Sequence, residues 1–250
     1  MTNFKDYNHS LIQLTNMSFD MKKILFAFSA LELLFAVSAC KKVVQVCPEG
    51  AVDLGIVMTR EDGTTYKLFW AKSNLSTSGL CAKPEDYGDY YAWGETEPKE
   101  NYSWSTYKFG TSWGSFSKYN TDSDFGRVDH KTVLDAADDV AHVKLGGKWR
   151  IPTEEEWTAL RTQCTWTWTT QNGINGRLVT ASNGNNIFLP AAGYRIDTNL
   201  YFAGTLGYYW SSSLYTDDPR IAWGVYFDPV DVLRSDCYRK DGHSVRPVSE

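Results

Sequence analysis

From Thr165 onward the chain is cut into β-prone pieces too short to be helices. The stretches 166–168, 178–180 and 187–189 are separated by Asn172-Gly173, Asn175-Gly176 and Asn183-Gly184. Asn-Gly pairs accept the positive φ of tight turns, so this half is expected to fold as short antiparallel strands. The amino side repeats the pattern. Residues 51–58 alternate in polarity, Glu61-Asp-Gly-Thr64 supplies an Asp-Gly turn, and residues 65–71 return as the partner strand. Between Ser73 and Gly126 the periodicity lapses into Gly, Ser, Asn and Asp, which predicts long ordered loops pinned by Trp93, Trp104 and Trp113. One helix is plain. Thr153 is its N-cap and Glu156 reaches back in a capping box, with Trp157, Leu160 and Arg161 continuing to about Gln163. A weaker helical turn is expected over 134–142, with Asp138 and Asp139 capping or solvated. The fold class expected is α+β: one or two helices packed on short antiparallel strands.

With 250 residues, 42% hydrophobic and 15% aromatic, the chain suffices for one well-buried domain, expected over 51–250. A net charge of -5 with no basic stripe argues against a nucleic-acid partner. The amino end reads as an address. Met21-Lys22-Lys23 is a positive start, residues 24–36 are apolar, and Val37-Ser38-Ala39-Cys40 is a small-residue site ending in cysteine. That pattern resembles the lipobox of bacterial lipoproteins, which implies that 1–39 is a pre-sequence with signal peptide, that Cys40 carries lipid, and that 40–50 is a tether. A transmembrane reading fits less well, because the apolar stretch is about sixteen residues where roughly twenty are needed, and Glu32 interrupts it. Cys47, Cys81, Cys164 and Cys237 are widely spaced, which argues against a metal site or disulfide framework and favours buried free thiols. A Cys81–Cys164 bridge remains an alternative.

The last forty residues carry the functional expectation. Trp223, Val225 and Phe227 alternate with Gly224, Tyr226 and Asp228, the period of a strand with one buried face. The outward positions mix chemistries too freely for either a core or a solvated face. The candidate ligand-binding set is Arg220, Ile221, Gly224, Tyr226, Asp228, Val230, Asp231, Leu233, Ser235, Asp236, Cys237, Tyr238, Lys240, Asp241 and His243. Buried Trp210, Trp223, Phe227, Arg234, Arg239 and Arg246 are expected to hold that face. Exposed aromatics on a rigid scaffold are the usual anchors of recognition surfaces.

Five ordered motifs add a resemblance. Pro84-Glu-Asp-Tyr-Gly-Asp-Tyr-Tyr-Ala-Trp-Gly-Glu-Thr96, Gly147-Lys-Trp-Arg-Ile-Pro-Thr-Glu-Glu-Glu-Trp157, Phe188-Leu-Pro-Ala-Ala-Gly-Tyr-Arg195, Tyr209-Trp-Ser-Ser-Ser213 and Ser244-Val-Arg-Pro-Val248 together resemble the Fibrobacter succinogenes major paralogous domain family. This family is common in lipoproteins of gut Bacteroidetes. The resemblance implies a C-type-lectin-like fold whose two ends meet, placing Val52 near Val245 in one sheet. With the lipobox and the mixed face, the expectation is a lipid-anchored ligand-binding protein of the cell envelope, at the outer membrane, with a surface protein, glycan or phage as partner. Some similar tails are rewritten by diversity-generating retroelements into NNC codons; among the nominated positions only Lys240 is a type such codons cannot encode.

Catalysis finds little support. The formylglycine-generating enzymes, which the fold also resembles, hold copper with two cysteines near the carboxyl end, and here Cys237 stands alone in that stretch. Ser211, Ser212 and Ser213 lack the glycines of a nucleophile elbow and are expected to bond neighbouring backbone. Glu97-Pro98-Lys99 places a cation where a calcium-binding lectin needs an oxygen, and His130, His142 and His243 are too scattered for zinc. The expectation is therefore no enzyme, no cofactor and no metal. A catalytically altered relative of those enzymes and a structural envelope protein are the alternatives.

Overall fold

Hairpin turns set the architecture, as the dipeptides predict. The computed structural model describes residues 45–112 and 114–250, and Gln45–Glu250 form one compact unit. The expected signal peptide, Cys40 and Trp113 lie outside the described residues. Strands β1 (Ala51–Thr59) and β2 (Thr65–Ala71) flank the Asp-Gly turn, and two short ladders follow: β3 (Leu75–Ser76) with β4 (Gly79–Leu80), and β5 (Gly110–Ser112) with β6 (Ser115–Phe116). Helices α1 (Val140–Leu145) and α2 (Glu154–Gln163) come next. Then β7 (Thr165–Gln171), β8 (Ile174–Thr180) and β9 (Asn186–Pro190) form an antiparallel meander, and β10 (Tyr194–Ile196) with β11 (Asn199–Tyr201) a small hairpin. Strands β12 (Gly207–Leu214), β13 (Ile221–Phe227) and β14 (Val232–Tyr238) make the central sheet, and β15 (Val248–Ser249) returns to β2. Short antiparallel sheets with two α-helices among the described residues are the expected α+β class.

Local expectations hold where turn chemistry or capping drives them. Thr153 Oγ1 accepts from the Glu156 amide at 3.3 Å and Glu156 Oε2 accepts from the Thr153 amide at 2.9 Å, so the capping box forms. Asn172-Gly173 and Asn183-Gly184 are turns, but Asn175-Gly176 lies inside β8. There a Cβ on Gly176 would sit 2.3 Å from the Leu189 carbonyl, so this glycine permits close strand packing. Asp139 caps α1 through the Ala141 and His142 amides. Its neighbour Asp138 is not solvated: it is buried, paired with Lys108 and Lys118, and bonded by the Tyr119 hydroxyl at 2.8 Å.

The two ends of the domain do share a sheet. Val52 and Val248 both pair with Trp70 in the order β1-β2-β15, so the residue that returns is Val248. Val245 is buried in the other core, where its carbonyl accepts from the Leu75 amide.

Two hydrophobic cores lie on opposite faces of the central sheet. Tyr209, Val225 and Phe227 join Trp70, Trp157, Leu160 and Val248 on one side; Trp210, Leu214, Ala222 and Cys237 join Trp93, Tyr102, Tyr107 and Tyr119 on the other. Adjacent residues Tyr209 and Trp210 thus enter different cores, the consequence of period-two side-chain direction. Trp93 is fully buried and its indole donates to the Ser211 carbonyl at 2.8 Å; Trp104 packs at the edge of the same core.

Candidate functional site

A sheet packed on both faces can show side chains only at its ends and its free edge. The nominated set divides on that ground. Val230, Asp231, Leu233, Asp236 and Tyr238 are exposed, and Arg220, Ile221, Tyr226, Asp228 and Ser235 are half-buried. Gly224, Cys237, Lys240, Asp241 and His243 are buried, contrary to expectation. Each burial has a physical reason. A Cβ on Gly224 would lie 2.6 Å from the Tyr209 carbonyl, so strand β12 closes over it. Cys237 faces the Trp210 core, and burial pushes its thiol up to about 12, which leaves it an unreactive apolar group.

Lys240 and Asp241 form an ion pair at 2.5 Å, and burial pushes the Asp241 carboxyl up to about 6. His243 lies flat against Trp210, with ring centroids 4.1 Å apart and planes 19° apart. Burial pushes its imidazole down to about 3, and Lys240 adds to that, so the ring is neutral and serves as an aromatic slab.

Register also separates the exposed members onto two faces. Tyr226 and Leu233 stand opposite each other on one face; Trp223 opposite Asp236, and Val225 opposite Arg234, occupy the other. Two expected scaffold residues are therefore corrected. Trp223 is half-buried, T-shaped to Tyr215 at 4.7 Å, with the Arg234 guanidinium 4.0 Å above its ring; Arg234 itself is exposed and 3.6 Å from Glu154. Neither belongs to the Tyr209 core. Trp210, Phe227, Arg239 and Arg246 are buried as expected.

The two buried arginines are satisfied by oxygen rather than by carboxylates. Arg239 donates to the Tyr107 hydroxyl and to the carbonyls of Tyr119, Pro219 and Lys118 at 2.8–3.1 Å. Arg246 donates to Asn74 Oδ1 and to the carbonyls of Ala71 and Phe188 at 2.7–3.0 Å, and burial pushes its guanidinium down to about 10. Together they fix the segment that follows β14.

The turn between β13 and β14 is held from both sides. Asp228 Oδ1 accepts from the amides of Val230 and Asp231 at 2.7 Å, and Oδ2 from the Tyr226 hydroxyl at 2.5 Å. These bonds lower the Asp228 carboxyl below its usual range and push the Tyr226 hydroxyl up to about 12. Asp228 is thus a turn-former. From β8, Arg177 donates to the carbonyls of Asp228 and Asp231, clamping the turn to the meander.

Sequence reading missed Arg177 and the aromatic neighbours of Tyr226. Tyr208 lies 5.1 Å from Tyr226, Tyr194 lies 4.9 Å from Tyr208, and Tyr194 stacks on Tyr201 at 5.8 Å with Phe202 beside it. Leu200, Tyr201 and Phe202 are exposed. The chain of rings runs from buried Trp210 through His243 and Tyr208 to the surface. A signal for it exists: Tyr194 and Tyr201 pair across the two-residue turn Asp197-Thr198, so a hairpin reading of 194–201 puts both on one face.

The serines behave as expected of structural hydroxyls. Ser211 bonds the Trp223 carbonyl at 2.8 Å, Ser212 the Pro152 carbonyl at 3.4 Å, and Ser213 accepts from the Glu154 amide at 3.1 Å. Among the described residues, Cys47, Cys81, Cys164 and Cys237 are free thiols, with Cys47 exposed and Cys81 and Cys164 half-buried. No family model matches the chain, and comparison with curated proteins and with solved structures returned no match.

Proposed function

We propose that the chain is a lipid-anchored ligand-binding protein of the cell envelope, held through Cys40, with a C-type-lectin-like domain that binds its partner non-covalently. The observation that carries this reading is a rigid strand pair whose tip and free side expose Val230, Leu233 and Tyr238, with relative exposures of 81%, 49% and 37%. Val230 and Leu233 belong to neither core, Tyr238 packs edge-on to Trp104, and the scaffold beneath them is fixed by Arg177, Arg239 and the Asp228 turn. The binding face comprises Tyr226, Leu233 and Val230, extended by Tyr208, Tyr194, Tyr201 and Phe202. Tyrosines suit this role because they offer large contact area with few rotatable bonds. A surface protein, a glycan or a phage component is the partner class. Retroelement diversification, in this reading, falls on the exposed positions and spares Lys240, Asp241 and His243.

Site-specific photocrosslinking in cells tests the face. A benzophenone side chain at Leu233 is expected to capture a partner and give an adduct of mass other than twice the chain's, while the same group at exposed Thr216 gives none. Equal capture at both positions, or none at Leu233, contradicts the reading. Labelled palmitate incorporation that persists in Cys40→Ala contradicts the anchor separately.

A further inference from the structure

The central sheet ends in an open edge. β14 pairs with β13 over seven consecutive residues with no register break. The Arg239 amide donates to the Arg220 carbonyl at 3.0 Å, continuing that register. Odd-numbered main-chain groups of β14 therefore point at β13, and those of Val232, Arg234 and Asp236 point away. Among the described residues no main-chain or side-chain group bonds them. The edge closes at Tyr238, whose carbonyl accepts from the Asp241 amide at 2.9 Å.

The β1 and β7 edges are interrupted. β1 is broken between Asp53 and Val57 by a bulge, with Gly55 at φ 74°, and the Asp53 carbonyl accepts from Asn183 and Asn185. On β7 the Trp166 carbonyl is taken by Arg177 at 3.2 Å. β14 has neither a bulge nor a proline, and its charged residues are one of each sign.

We infer that this edge pairs antiparallel with the same edge of a second copy, centred on Ser235. In that register Arg234 lies opposite the partner's Asp236, and Asp236 opposite the partner's Arg234. Leu233 meets the partner's Cys237. The main-chain groups of Arg234 and Asp236 are outward-facing, so each such pair closes two hydrogen bonds. Charge selects the register: centring on Arg234 or on Asp236 instead sets like charges face to face, which disfavours those alternatives. The two-fold axis stands perpendicular to the sheet, so both copies present the Tyr226–Leu233 face on the same side. The pairing goes beyond the recognition reading and does not depend on it.

Sedimentation of the full chain in detergent tests this. Wild type is expected to be a dimer. Arg234→Asp and Asp236→Arg alone each set like charges across the axis and are expected to be monomers. An equimolar mixture of the two variants restores opposite charges at both positions and is expected to recover the dimer. A monomeric wild type, a dimer that survives either substitution, or a mixture that stays monomeric overturns the proposal. Should either variant fail to fold, as read by near-ultraviolet circular dichroism, amide exchange of wild type decides alone: exchange at Arg234 and Asp236 should slow at least tenfold from dilute to concentrated solution. Unchanged exchange there overturns it.

Discussion

Strand β14 and the residues directly after it both carry charged side chains and meet opposite fates. In the strand Leu233, Arg234, Asp236 and Tyr238 face solvent; from Arg239 to Ser249 every residue is buried. The difference lies in what is available to satisfy each group. Arg239 and Arg246 find carbonyls, Lys240 finds Asp241, and the main chain bridges to Tyr91, Tyr208 and Arg150. β14 has a partner strand on only one side. Burial in this molecule follows the geometry of hydrogen-bond partners, and residue polarity predicts it poorly.

The largest effect expected from breaking this contrast lies in the buried segment. Arg239→Met leaves a hydroxyl and three carbonyls without their donor and is expected to cost about 3–5 kcal/mol, read from the denaturant midpoint. A loss under about 1 kcal/mol contradicts the assignment of Arg239 as the post of the tail.

Acid should act through the same segment. His243 takes a proton near 6.5 in the unfolded chain but only near 3 when folded, so its stabilising contribution is complete above 6.5 and is lost as pH falls toward 3. Asp241 works oppositely: held protonated up to about 6 when folded, against 3.8 unfolded, it loses its contribution as pH rises between those values. Between pH 7 and pH 5 the two partly cancel. His243→Phe should therefore remove the acid-side loss and leave the variant relatively more stable at pH 5 than at pH 7. An unchanged slope in urea titrations contradicts the buried neutral ring.

Arg177→Met sharpens the comparison at the join. It frees the Asp228–Asp231 turn at about 1–3 kcal/mol, with faster amide exchange at Val230 and Asp231 and little change at Val225. Uniform acceleration would mean that the clamp supports the whole domain. The smallest effect belongs to the face itself. Tyr226→Ala with Val230→Ala should change stability by about 1 kcal/mol or less, while lowering partner recovery through the Leu233 crosslinker at least tenfold.

How much of this was legible beforehand follows from the range of each interaction. Hairpins at Asp62-Gly63 and Asn172-Gly173 and the Thr153–Glu156 capping box are local, and the residue types alone predict them. Period two correctly gave Val225 and Phe227 as core and left Leu233 outside. It failed at Trp223 and Gly224, because a strand between two cores is covered on both faces along part of its length, and no alternation records where each core stops. The burial of Lys240, Asp241 and His243 depends on Tyr91, Tyr102 and Trp210, all distant in sequence. Arg177, a lone cation in a strand, is identified as a clamp only by the turn it holds.

Substitution of every position from Arg220 to Arg246, sorted by protease resistance of the folded chain, tests the central division most directly. Val230, Leu233 and Asp236 are predicted to accept most residue types, and Arg239, Asp241, His243 and Arg246 almost none. Uniform tolerance along the segment, or greater tolerance at His243 than at Leu233, would contradict a presented face resting on a buried post.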